Sequence, residues 1–557
     1  MEVELKLLVD AQYEDAILRH PLLSAPAGSQ PRELNQMDTY FDTPEFKLRE
    51  RHIGLRVRRA RGRWIQNIKG NGKAESGLHS RHEWERPIAG PIPELDHLRT
   101  LIDDKTVRRG LATTPALKKR LTPVFATKVK RTAWDVQLDD GGQVECALDR
   151  GTLECGDKKI AISELELELK SGDPRQLFDL ALELQQTIPL RVGNDSKADR
   201  GYALLLSQPE GAVKAARPAL SASMSAGEAF IEIAANCLSH MQSNDQRVAY
   251  GSDVESLHQM RVGMRRLRSA LNMYKALLQL PPPLQTELDW LAGELGEARD
   301  WDVLAGSTLP MLAQQADGMG QIDGVRQAVQ EQAQAQRRRT AEAVDSPRYT
   351  RLMLGISRWV HAVGRGAAGA AGAVANGNDA ANASTYATNG GAAAAANNGA
   401  GSANAGAGNV NAGASGAKPA ANKLDQPVLK FARKILQRDQ KRLRRRARHL
   451  ADASPAMRHR LRIAAKKTRY AAEFFSALFA PRVVKRYVQG LSRLQDELGQ
   501  LNDFAVAGNL LNSLSAAEPQ LEGEVGFVKG YLAAQERNDS KKVLKLWKQF
   551  APVTPPH

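Results

Sequence analysis

Apolar and charged residues alternate along short stretches in the first part of the chain. At its start, Glu2, Glu4 and Lys6 are separated from one another by single apolar residues. A period of two is typical of a β-strand with one buried face, so these three charges should project from the same face. Because burying charges is costly unless they are paired, the strand predicts a polar interior to which other strands also contribute charges.

Later stretches repeat this alternation with charges of both signs. Arg56 and Arg58 share one strand face, and Glu164, Glu166 and Glu168 alternate with leucines on another. A single alternating strand is usually the solvated face of a sheet. Because several strands here carry acids and others carry bases, we expect them to close into a barrel with their charged faces inside and helices over the apolar outside.

Acids and bases in one interior indicate a particular ligand chemistry. Arginine and lysine hold phosphate oxygens, whereas neighbouring carboxylates raise one another's pKa unless a cation lies between them. A hard divalent cation such as Mg²⁺ or Mn²⁺ would bind carboxylates on one side and phosphate oxygens on the other. The pattern therefore favours a metal-dependent site for a triphosphate.

Several segments share their pattern with a known family. They are Glu2-x-Glu4-x-Lys6, Tyr40-Phe41-Asp42-Thr43-Pro44, Leu55-Arg56-Val57-Arg58, Glu164-x-Glu166-x-Glu168 and the stretch 196–202. Together they resemble the CYTH domain of the triphosphate tunnel metalloenzymes over residues 1–205. The resemblance implies an α+β domain built on an eight-stranded antiparallel β tunnel, which cleaves or cyclises triphosphate compounds with Mg²⁺ or Mn²⁺.

The resemblance also implies roles for individual residues. The catalytic residues would be Glu4, Lys6, Arg56 and Arg58. The cations that clamp the triphosphate would be Lys6, Arg56, Arg58, Lys69, Lys130, Lys197 and Arg200. The metal ligands would be Glu2, Glu4, Glu83, Asp149, Glu164, Glu166 and Glu168. A metal ion would offset phosphate charge, and a carboxylate such as Glu4 would orient the attacking water.

Arg200 could instead form an ion pair on a helix surface, and two further assignments stay open because one sequence does not fix the strand register. The first concerns four acids whose facing is uncertain, namely Glu83, Glu85, Asp149 and Glu168. The second concerns one basic position of the clamp, for which the candidates are Lys128, Lys130 and Arg131.

After a linker at residues 206–222 the periodicity becomes helical, and it remains so through an all-α module at residues 223–550. The module is interrupted at about residues 364–421 by a tract rich in alanine, glycine and asparagine. Such a tract carries too few large apolar residues to bury a core. We therefore predict a disordered insertion there.

The two sides of this tract are related by an internal duplication. His258 is followed by basic residues three, seven, eight and ten positions later, and His459 is followed by the same pattern. On an α-helix, positions 0, +3, +7 and +10 fall within an arc of roughly 80°. Because these ridges are nearly all basic rather than mixed in sign, they predict a groove that binds anions.

The repeated motifs resemble the CHAD domain, a duplicated helical module that often follows a CYTH domain. The resemblance implies binding of inorganic polyphosphate. Its ligands would be His258, Arg261, Arg265, Arg266, Arg268, His459, Arg462, Lys466, Lys467 and Arg469. Nucleic acid is a competing partner because counterion release favours any polyanion, but aromatic residues that could stack on bases are sparse near the ridges.

Overall composition agrees with an anionic partner, since the formal net charge is +16. The three cysteines lack the spacing of a zinc site or a disulfide framework, which favours a reducing compartment. No apolar run reaches the roughly 18 residues of a membrane span, and the acidic opening is unlike a signal peptide. We therefore expect a cytoplasmic protein without a membrane segment and make no prediction of its oligomeric state.

Three functions are consistent with these features. The first is a metal-dependent inorganic triphosphatase whose helical module binds polyphosphate. The second is a nucleotide-using tunnel enzyme, either a class IV-type adenylyl cyclase or a nucleoside triphosphatase. The third is a polyphosphate-binding protein with a catalytically idle tunnel. The pairing of the two modules favours the first, because a module for polyanions suits a substrate that lacks a base.

Overall fold

The structure is a computed structural model of the chain. It describes residues 2–24, 30–75, 77–95, 102–112, 117–138, 141–206, 211–251, 253–315, 322–365, 423–451 and 453–557. Most of the predicted insertion lies outside these residues. Its first two positions belong to a helix that ends at Arg365.

In the described part of the chain, nine strands form one antiparallel sheet. They are β1 (Glu2–Val9), β2 (Arg32–Asp42), β3 (Ile53–Ala60), β4 (Arg63–Glu75), β5 (Leu78–Ile88), β6 (Thr122–Gln137), β7 (Gln143–Cys155), β8 (Lys158–Ser171) and β9 (Leu190–Val192). The strand order is β5-β4-β3-β2-β6-β7-β8-β1-β9, and pairing between β1 and β5 closes the first eight strands into a barrel. The predicted eight-stranded tunnel is confirmed, with the short β9 added beside β1.

Alternation along β1 separates the inside of the barrel from the outside. Leu5 and Leu7 are fully buried in an apolar core that also contains Leu165 and Leu167 of β8. Phe178, from a helix packed over this wall, belongs to the same core. The charged residues between the leucines therefore face the interior.

Short helices accompany the barrel. They are α1 (Glu14–Leu18), α2 (Pro21–Ser24), α3 (Lys47–Glu50), α4 (Lys105–Ala112), α5 (Leu117–Arg120), α6 (Arg175–Leu184) and α7 (Lys197–Leu206). Helix α6 packs on β1 and β8 from outside, whereas α7 packs against β6 and β7 and lines one side of the cavity.

The second module is helical, as predicted. Its helices are α8 (Ala226–Tyr250), α9 (Val254–Tyr274), α10 (Pro282–Val303), α11 (Leu309–Gln315), α12 (Asp323–Asp345), α13 (Pro347–Arg365), α14 (Val428–Arg446), α15 (Pro455–Phe474), α16 (Pro481–Ala517) and α17 (Glu522–Phe550). A π-helical turn, Leu304–Thr308, joins α10 to α11. Leu206, the first residue of the predicted linker, ends α7, whereas residues 211–222 contain no helix and lead to the Ser225 N-cap of α8.

The duplication is visible where α8 and α14 begin. The amide of Ala226 donates to the carbonyl of Gln426 at 2.8 Å, and the amide of Val428 donates to the carbonyl of Met224 at 3.0 Å. These reciprocal bonds relate the two halves of the module by an approximate twofold arrangement. Within the described residues, no helix combines the length and apolar character that a membrane crossing requires.

Candidate active site and candidate anion groove

The barrel encloses a charged cavity of about 820 Å³. Its walls include the inward face of β1, with Glu2, Glu4 and Lys6. The register with β8 places Glu4 opposite Glu168 and Lys6 opposite Glu166. Because charged residues lie opposite charged residues at this register, the charged faces of both strands line the same interior.

One group of charges, here called the deep cluster, lies on β1, β6–β8 and α7. It comprises Lys6, Arg131, Asp149, Glu164, Glu166, Lys197 and Arg200. One oxygen from each of its three carboxylates, Asp149, Glu164 and Glu166, lies within 4.8 Å of the others. The three acids are thus close enough to share a cation, and they are matched by four basic side chains.

Specific bonds hold the deep cluster together. Arg131 donates two bonds of 2.7 Å to Asp149 and one of 2.5 Å to Glu166. Lys197 donates to Asp149 at 2.7 Å and to Glu166 at 3.0 Å, and Lys6 lies 3.3 Å from Glu164. Such a buried network is stable only while each charge keeps a partner.

The surrounding charges shift the pKa values within this cluster. Although burial opposes ionisation, Lys197, Lys6 and Arg200 lower the pKa of Glu164 to about 2. The pKa of Lys197 is raised well above its ordinary value despite burial, chiefly because Asp149 and Glu164 lie beside it. Glu164 is therefore ionised and Lys197 protonated across the physiological range.

A second group of charges, here called the lateral cluster, lies on β1–β5. Asp38 accepts two bonds from Arg58, at 2.8 and 3.0 Å, and its carboxylate lies 3.1 Å from Arg56. Lys69 bonds Glu2 at 2.7 Å and Glu83 at 3.1 Å. The register explains this grouping, because Asp38 faces Arg58 and Lys69 faces Glu83 across neighbouring strands.

Negative charge is in excess beside Lys69. Burial and a hydrogen bond with Glu83 raise the pKa of Glu2 to about 8, while Glu2 and Lys69 help to hold the pKa of Glu83 below its ordinary range. Glu2 therefore carries a proton at neutral pH, which it shares with Glu83. Glu85 lies on the same face and accepts a 2.9 Å bond from Asn67. A proton shared between carboxylates marks a place where a hard cation would be favourable.

Most residues predicted for this site lie in or against the cavity. Those that line it are Glu2, Glu4, Lys6, Arg56, Arg58, Lys69, Glu83, Glu85, Glu166, Glu168 and Lys197. Asp149, Glu164 and Arg200 lie in the deep cluster through contacts with lining residues.

Lys130 is the exception. Its side chain is largely exposed on the outer face of β6, where it pairs with Glu33 at 2.9 Å. Lys128 points the same way and pairs with Glu154. Arg131, the third candidate for this basic position, lines the cavity. The structure thus places Arg131, and not Lys130, among the interior cations.

The predictions also missed interior residues, most clearly Asp38, Asn67 and Arg81. Arg81 bonds the ring of His79 at 3.0 Å, and burial near two cations lowers the pKa of His79 to about 4. A neutral imidazole does not offset the guanidinium charge, which stays available to an anion. The alternation Arg81-x-Glu83-x-Glu85 in the sequence could have indicated this position.

Helix α7 carries Lys197 into the cavity and is fixed by a buried carboxylate. The Tyr202 hydroxyl donates to Asp42 Oδ2 at 2.7 Å. The same carboxylate accepts the backbone amides of Leu48 and Arg49 at the start of α3. Asp42 therefore couples the turn after β2 to the helix that positions Lys197.

The two basic ridges of the helical module form a second site, here called the central groove. Arg261 and Arg265 of α9 lie close enough to Arg462 and Lys466 of α15 to lower the pKa values of both α15 residues. Burial and the nearby charge of Arg261 also lower the pKa of Arg299 in α10. Arg261 bonds Asp300 at 3.0 Å, and its counterpart Arg462 lies 3.8 Å from Asp503.

Positive charge in the central groove is only partly balanced. Burial and four neighbouring arginines lower the pKa of Lys466 to about 7. Burial and nearby arginines likewise lower the pKa of His258 to about 4, so its ring is neutral. Buried nitrogen atoms of Arg265 and His258 find no hydrogen-bond partner among the described residues. Uncompensated cations with unsatisfied donors fit an anionic ligand.

Other predicted ligands diverge from the central groove. Arg266 is buried between helices, where it bonds Asn236 and lies over the ring of Phe474. Its counterpart Lys467 projects from another face of α15 and bonds Asn272 of α9. Three remaining residues point to other partners: Arg268 to Asp289, His459 to Asn502 and Arg469 to Glu473.

Comparisons with known families divide the chain in the same way. A family model described as the CYTH domain matches residues 1–202, and one described as the CHAD domain matches residues 232–512.

A curated relative matches the first module. An inorganic triphosphatase from Haemophilus influenzae is 33% identical over 204 residues, which cover 36% of this chain and 54% of that protein. The chain thus spans about half the length of this relative.

Solved structures resemble each module. The CHAD domain from the plant Ricinus communis is 35% identical, with a TM-score of 0.49, and the match covers 63% of this chain and 99% of that one. A Hippeastrum adenylyl cyclase candidate in which triphosphatase activity dominates is 18% identical, with a TM-score of 0.28, over 37% of this chain and 96% of that one.

Proposed function

Because the chain belongs to the CYTH and CHAD families, with one domain of each, we propose that it hydrolyses inorganic triphosphate in the barrel and binds inorganic polyphosphate through its helical module. The triphosphatase name of the Haemophilus influenzae relative supports the first part. The cavity itself carries the proposal, because acids and bases, paired with one another in two clusters, line one enclosed space.

The interior cations supply the phosphate clamp in this proposal. Arg56 and Arg58 offer planar, bidentate donors on one wall, and Arg131 and Lys197 offer donors on the other. All four are now paired with carboxylates, so phosphate oxygens would replace those partners when substrate binds. Arg81 would add a cation that bonds the neutral ring of His79 rather than a carboxylate.

The carboxylates fit a hard divalent cation, Mg²⁺ or Mn²⁺. Glu2, Glu4, Glu83 and Glu85 line the cavity and are one candidate set to hold it, with Lys69 paired to both Glu2 and Glu83. The triad of Asp149, Glu164 and Glu166 is close enough to ligate but already neutralised by four bases. When bound, the ion would neutralise phosphate charge and polarise the bond that breaks.

The reaction asks the remaining groups mainly for positioning. A water oxygen adds to the terminal phosphorus, the bridging oxygen leaves with diphosphate, and the water gives up a proton. Glu4 is the proposed acceptor of that proton, because it lines the cavity and lies 3.9 Å from Lys6, too far for a direct hydrogen bond. Lys6 and Lys197 would hold the substrate in line for attack.

A substrate comparison tests the enzymatic proposal. Purified protein is incubated with tripolyphosphate or ATP, each with Mg²⁺, Mn²⁺ or EDTA, and phosphate, diphosphate and cyclic AMP are measured. We expect metal-dependent release of phosphate from tripolyphosphate and much slower use of ATP. Cyclic AMP from ATP with tripolyphosphate spared would instead identify a cyclase. Polyphosphate binding without metal-dependent phosphate release would identify a binding protein with an idle barrel.

A binding experiment tests the second part. Arg265→Gln with Lys466→Gln removes two charges from the central groove, which should weaken polyphosphate binding at least tenfold, a loss of about 1.4 kcal/mol. Triphosphate turnover should be unchanged, because neither residue lies near the barrel cavity. Equal affinity of the variant and the wild type would refute this groove as the polyphosphate site.

A further inference from the structure

The approximate twofold arrangement of the helical module relates two lateral grooves. One lies between α8 and α9, and the other lies between α14 and α15. Because α8 and α14 start at equivalent points, Asn236, His240 and Asn244 occupy the same helical positions as Arg438, Arg442 and Arg446. The duplicated motif likewise makes Arg266 equivalent to Lys467.

In the first repeat this groove holds an extended piece of the chain itself. Asn244 exchanges two hydrogen bonds with the backbone of Val213, at 2.9 and 3.0 Å. Arg266 reaches the carbonyl of Ala216 at 3.5 Å and Asn236 at 2.9 Å. The groove in the first repeat therefore accommodates an extended segment of neutral backbone, which it meets with the amide of Asn244 and the guanidinium group of Arg266.

In the second repeat every one of these neutral positions is basic. Arg438, Arg442 and Arg446 follow one another at single-turn intervals, about 6 Å apart along the helix. Arg438 and Arg442 border a crevice that is also lined by Lys467 and by Asn272 of α9. Lys275 adds a further positive charge within reach of Lys467.

Negative charge hardly offsets these cations. The carboxylate that lines the crevice, Asp439, is held by Arg438 at 2.9 Å. Arg442 makes no hydrogen bond or ion pair with the described residues, and Arg446 donates to the backbone carbonyl of Arg460. Burial and neighbouring cations lower the pKa values of Arg446 and Lys467, so like charges here repel one another.

We propose that the groove between α14 and α15 binds a stretch of an extended polyanion, and that this ligand is the phosphate backbone of long-chain polyphosphate. The first repeat shows that the groove shape suits an extended chain. In the second repeat, guanidinium groups stand where the first has the neutral side chains of Asn236, His240 and Asn244, so an anionic chain is the better fit. The proposal rests on polyphosphate binding by the helical module.

This lateral groove is separate from the central groove. Lys466 belongs to the central groove and Lys467 to the lateral one, and adjacent residues on a helix point about 100° apart. A long polyphosphate chain could therefore occupy both grooves, whereas a short chain would bind in the central groove alone. Chain-length dependence is the property that distinguishes them.

The test uses the full chain and three double variants. Arg442→Gln with Arg446→Gln alters the lateral groove, and Arg265→Gln with Lys466→Gln alters the central one. Lys430→Gln with Arg433→Gln, two exposed cations elsewhere on α14, is the matched control for net charge. Affinity for a short oligophosphate and for long-chain polyphosphate is measured by calorimetry at several salt concentrations.

We expect the lateral variant to bind long polyphosphate about tenfold more weakly, with a salt dependence reduced by roughly two counterions. Its affinity for the short chain should equal that of the wild type. The control should change neither affinity, and the central variant should weaken both. The single variant Arg442→Gln, which removes no hydrogen bond to the described residues, should show part of the loss without affecting the fold.

Three outcomes would overturn the proposal. If the lateral variant behaves like the control while the central variant loses affinity, the lateral groove is not a site, although the module still binds polyphosphate. If polyglutamate or single-stranded DNA binds as tightly and is equally sensitive to Arg442→Gln with Arg446→Gln, the polyphosphate assignment is wrong. If the wild type binds no polyphosphate, both this proposal and the function on which it rests fail.

Discussion

Adjacent basic residues on β6 face opposite sides of the barrel wall. Arg131 contacts Asp149 and Glu166 inside, whereas Lys130 pairs with Glu33 outside. Replacing an interior electrostatic group at an active site commonly costs 10²–10³ in rate. We therefore predict that Arg131→Gln lowers kcat/KM for triphosphate by about that factor, measured by phosphate release with Mg²⁺ or Mn²⁺.

The matched control for this prediction is Lys130→Gln, which removes one charge from the same strand and should leave kcat/KM within about twofold, as expected of an exposed ion pair. Arg131→Lys keeps the charge but loses the paired donors, so it should recover part of the rate. Equal losses from Arg131→Gln and Lys130→Gln would show that the cavity position has no special role.

The state of Lys466 should make polyphosphate binding depend on pH. Its pKa is lowered to about 7 by burial and by Arg261, Arg265, Arg462 and Arg469. A bound polyanion would raise that pKa, so binding above pH 7 takes up a proton. We expect affinity to be constant at and below about pH 6.5 and to fall by up to tenfold per unit as the pH rises from about 7.5 to 9.

Titration calorimetry in buffers of different ionisation enthalpy would measure this proton uptake directly. His258 does not titrate in this range, because its pKa is about 4. The control is Lys466→Arg, which stays charged and should bind with an affinity nearly independent of pH. The same pH slope in Lys466→Arg would assign the proton to another group.

At the scale of strands, alternation predicted which strand faces are charged, but it did not always predict which individual residue faces the barrel interior. Glu2, Glu4 and Lys6 lie on a strand with charges on one parity only, so their inward facing follows from the period alone. On β6, by contrast, the adjacent residues Lys130 and Arg131 place one cation on each face of the strand. Only the pairing of Arg131 opposite Asp149 on β7, a tertiary property, decides between them.

The helical repeat illustrates the same limit. The motif predicted both Arg265 and Arg266 as polyphosphate ligands, although consecutive residues on a helix point about 100° apart. Arg265 lies in the central groove, while Arg266 turns into the interface with α8 and bonds Asn236. Asp38 was missed for a related reason, because its role depends on Arg58 in the neighbouring strand and not on its own sequence context.

Close packing of α7 against the barrel gives a prediction about glycine. A Cβ atom at Gly201 would fall far inside van der Waals contact with the ring of Phe125, which is itself stacked on Tyr40. Gly201→Ala must therefore displace α7 or the ring, at a cost of about 1–3 kcal/mol. Because α7 positions Lys197, we expect a lower thermal midpoint together with slower triphosphate turnover.

The control is Gly293→Ala in α10, where a Cβ atom would meet nothing within 4 Å. Removing a helical glycine there should leave stability unchanged or raise it by up to about 1 kcal/mol. Differential scanning calorimetry and phosphate release compare the two variants. If Gly201→Ala is as stable and active as Gly293→Ala, the packing of α7 does not position the site.

Across the whole molecule, one large apolar cluster extends through both domains. Phe178 of α6 is fully buried and packs against the ring of His361 in α13, with centroids 5.3 Å apart. Arg191 of β9 bonds Asp345 of α12 at 2.9 Å and lies over the ring of Tyr250. The barrel wall that carries Glu4 and Lys6 is thus continuous with the helical module.

This shared core predicts that the two proposed activities are lost together on heating. Phe178→Ala should remove about 3–5 kcal/mol from the core and lower the midpoints for loss of triphosphate turnover and of polyphosphate binding by similar amounts. Phe504→Ala is the matched control, because Phe504 belongs to a separate cluster within the helical module. It should lower the polyphosphate midpoint more than the triphosphatase midpoint. A change confined to triphosphate turnover in Phe178→Ala would show that the barrel unfolds independently, despite the apolar contacts that join it to α13.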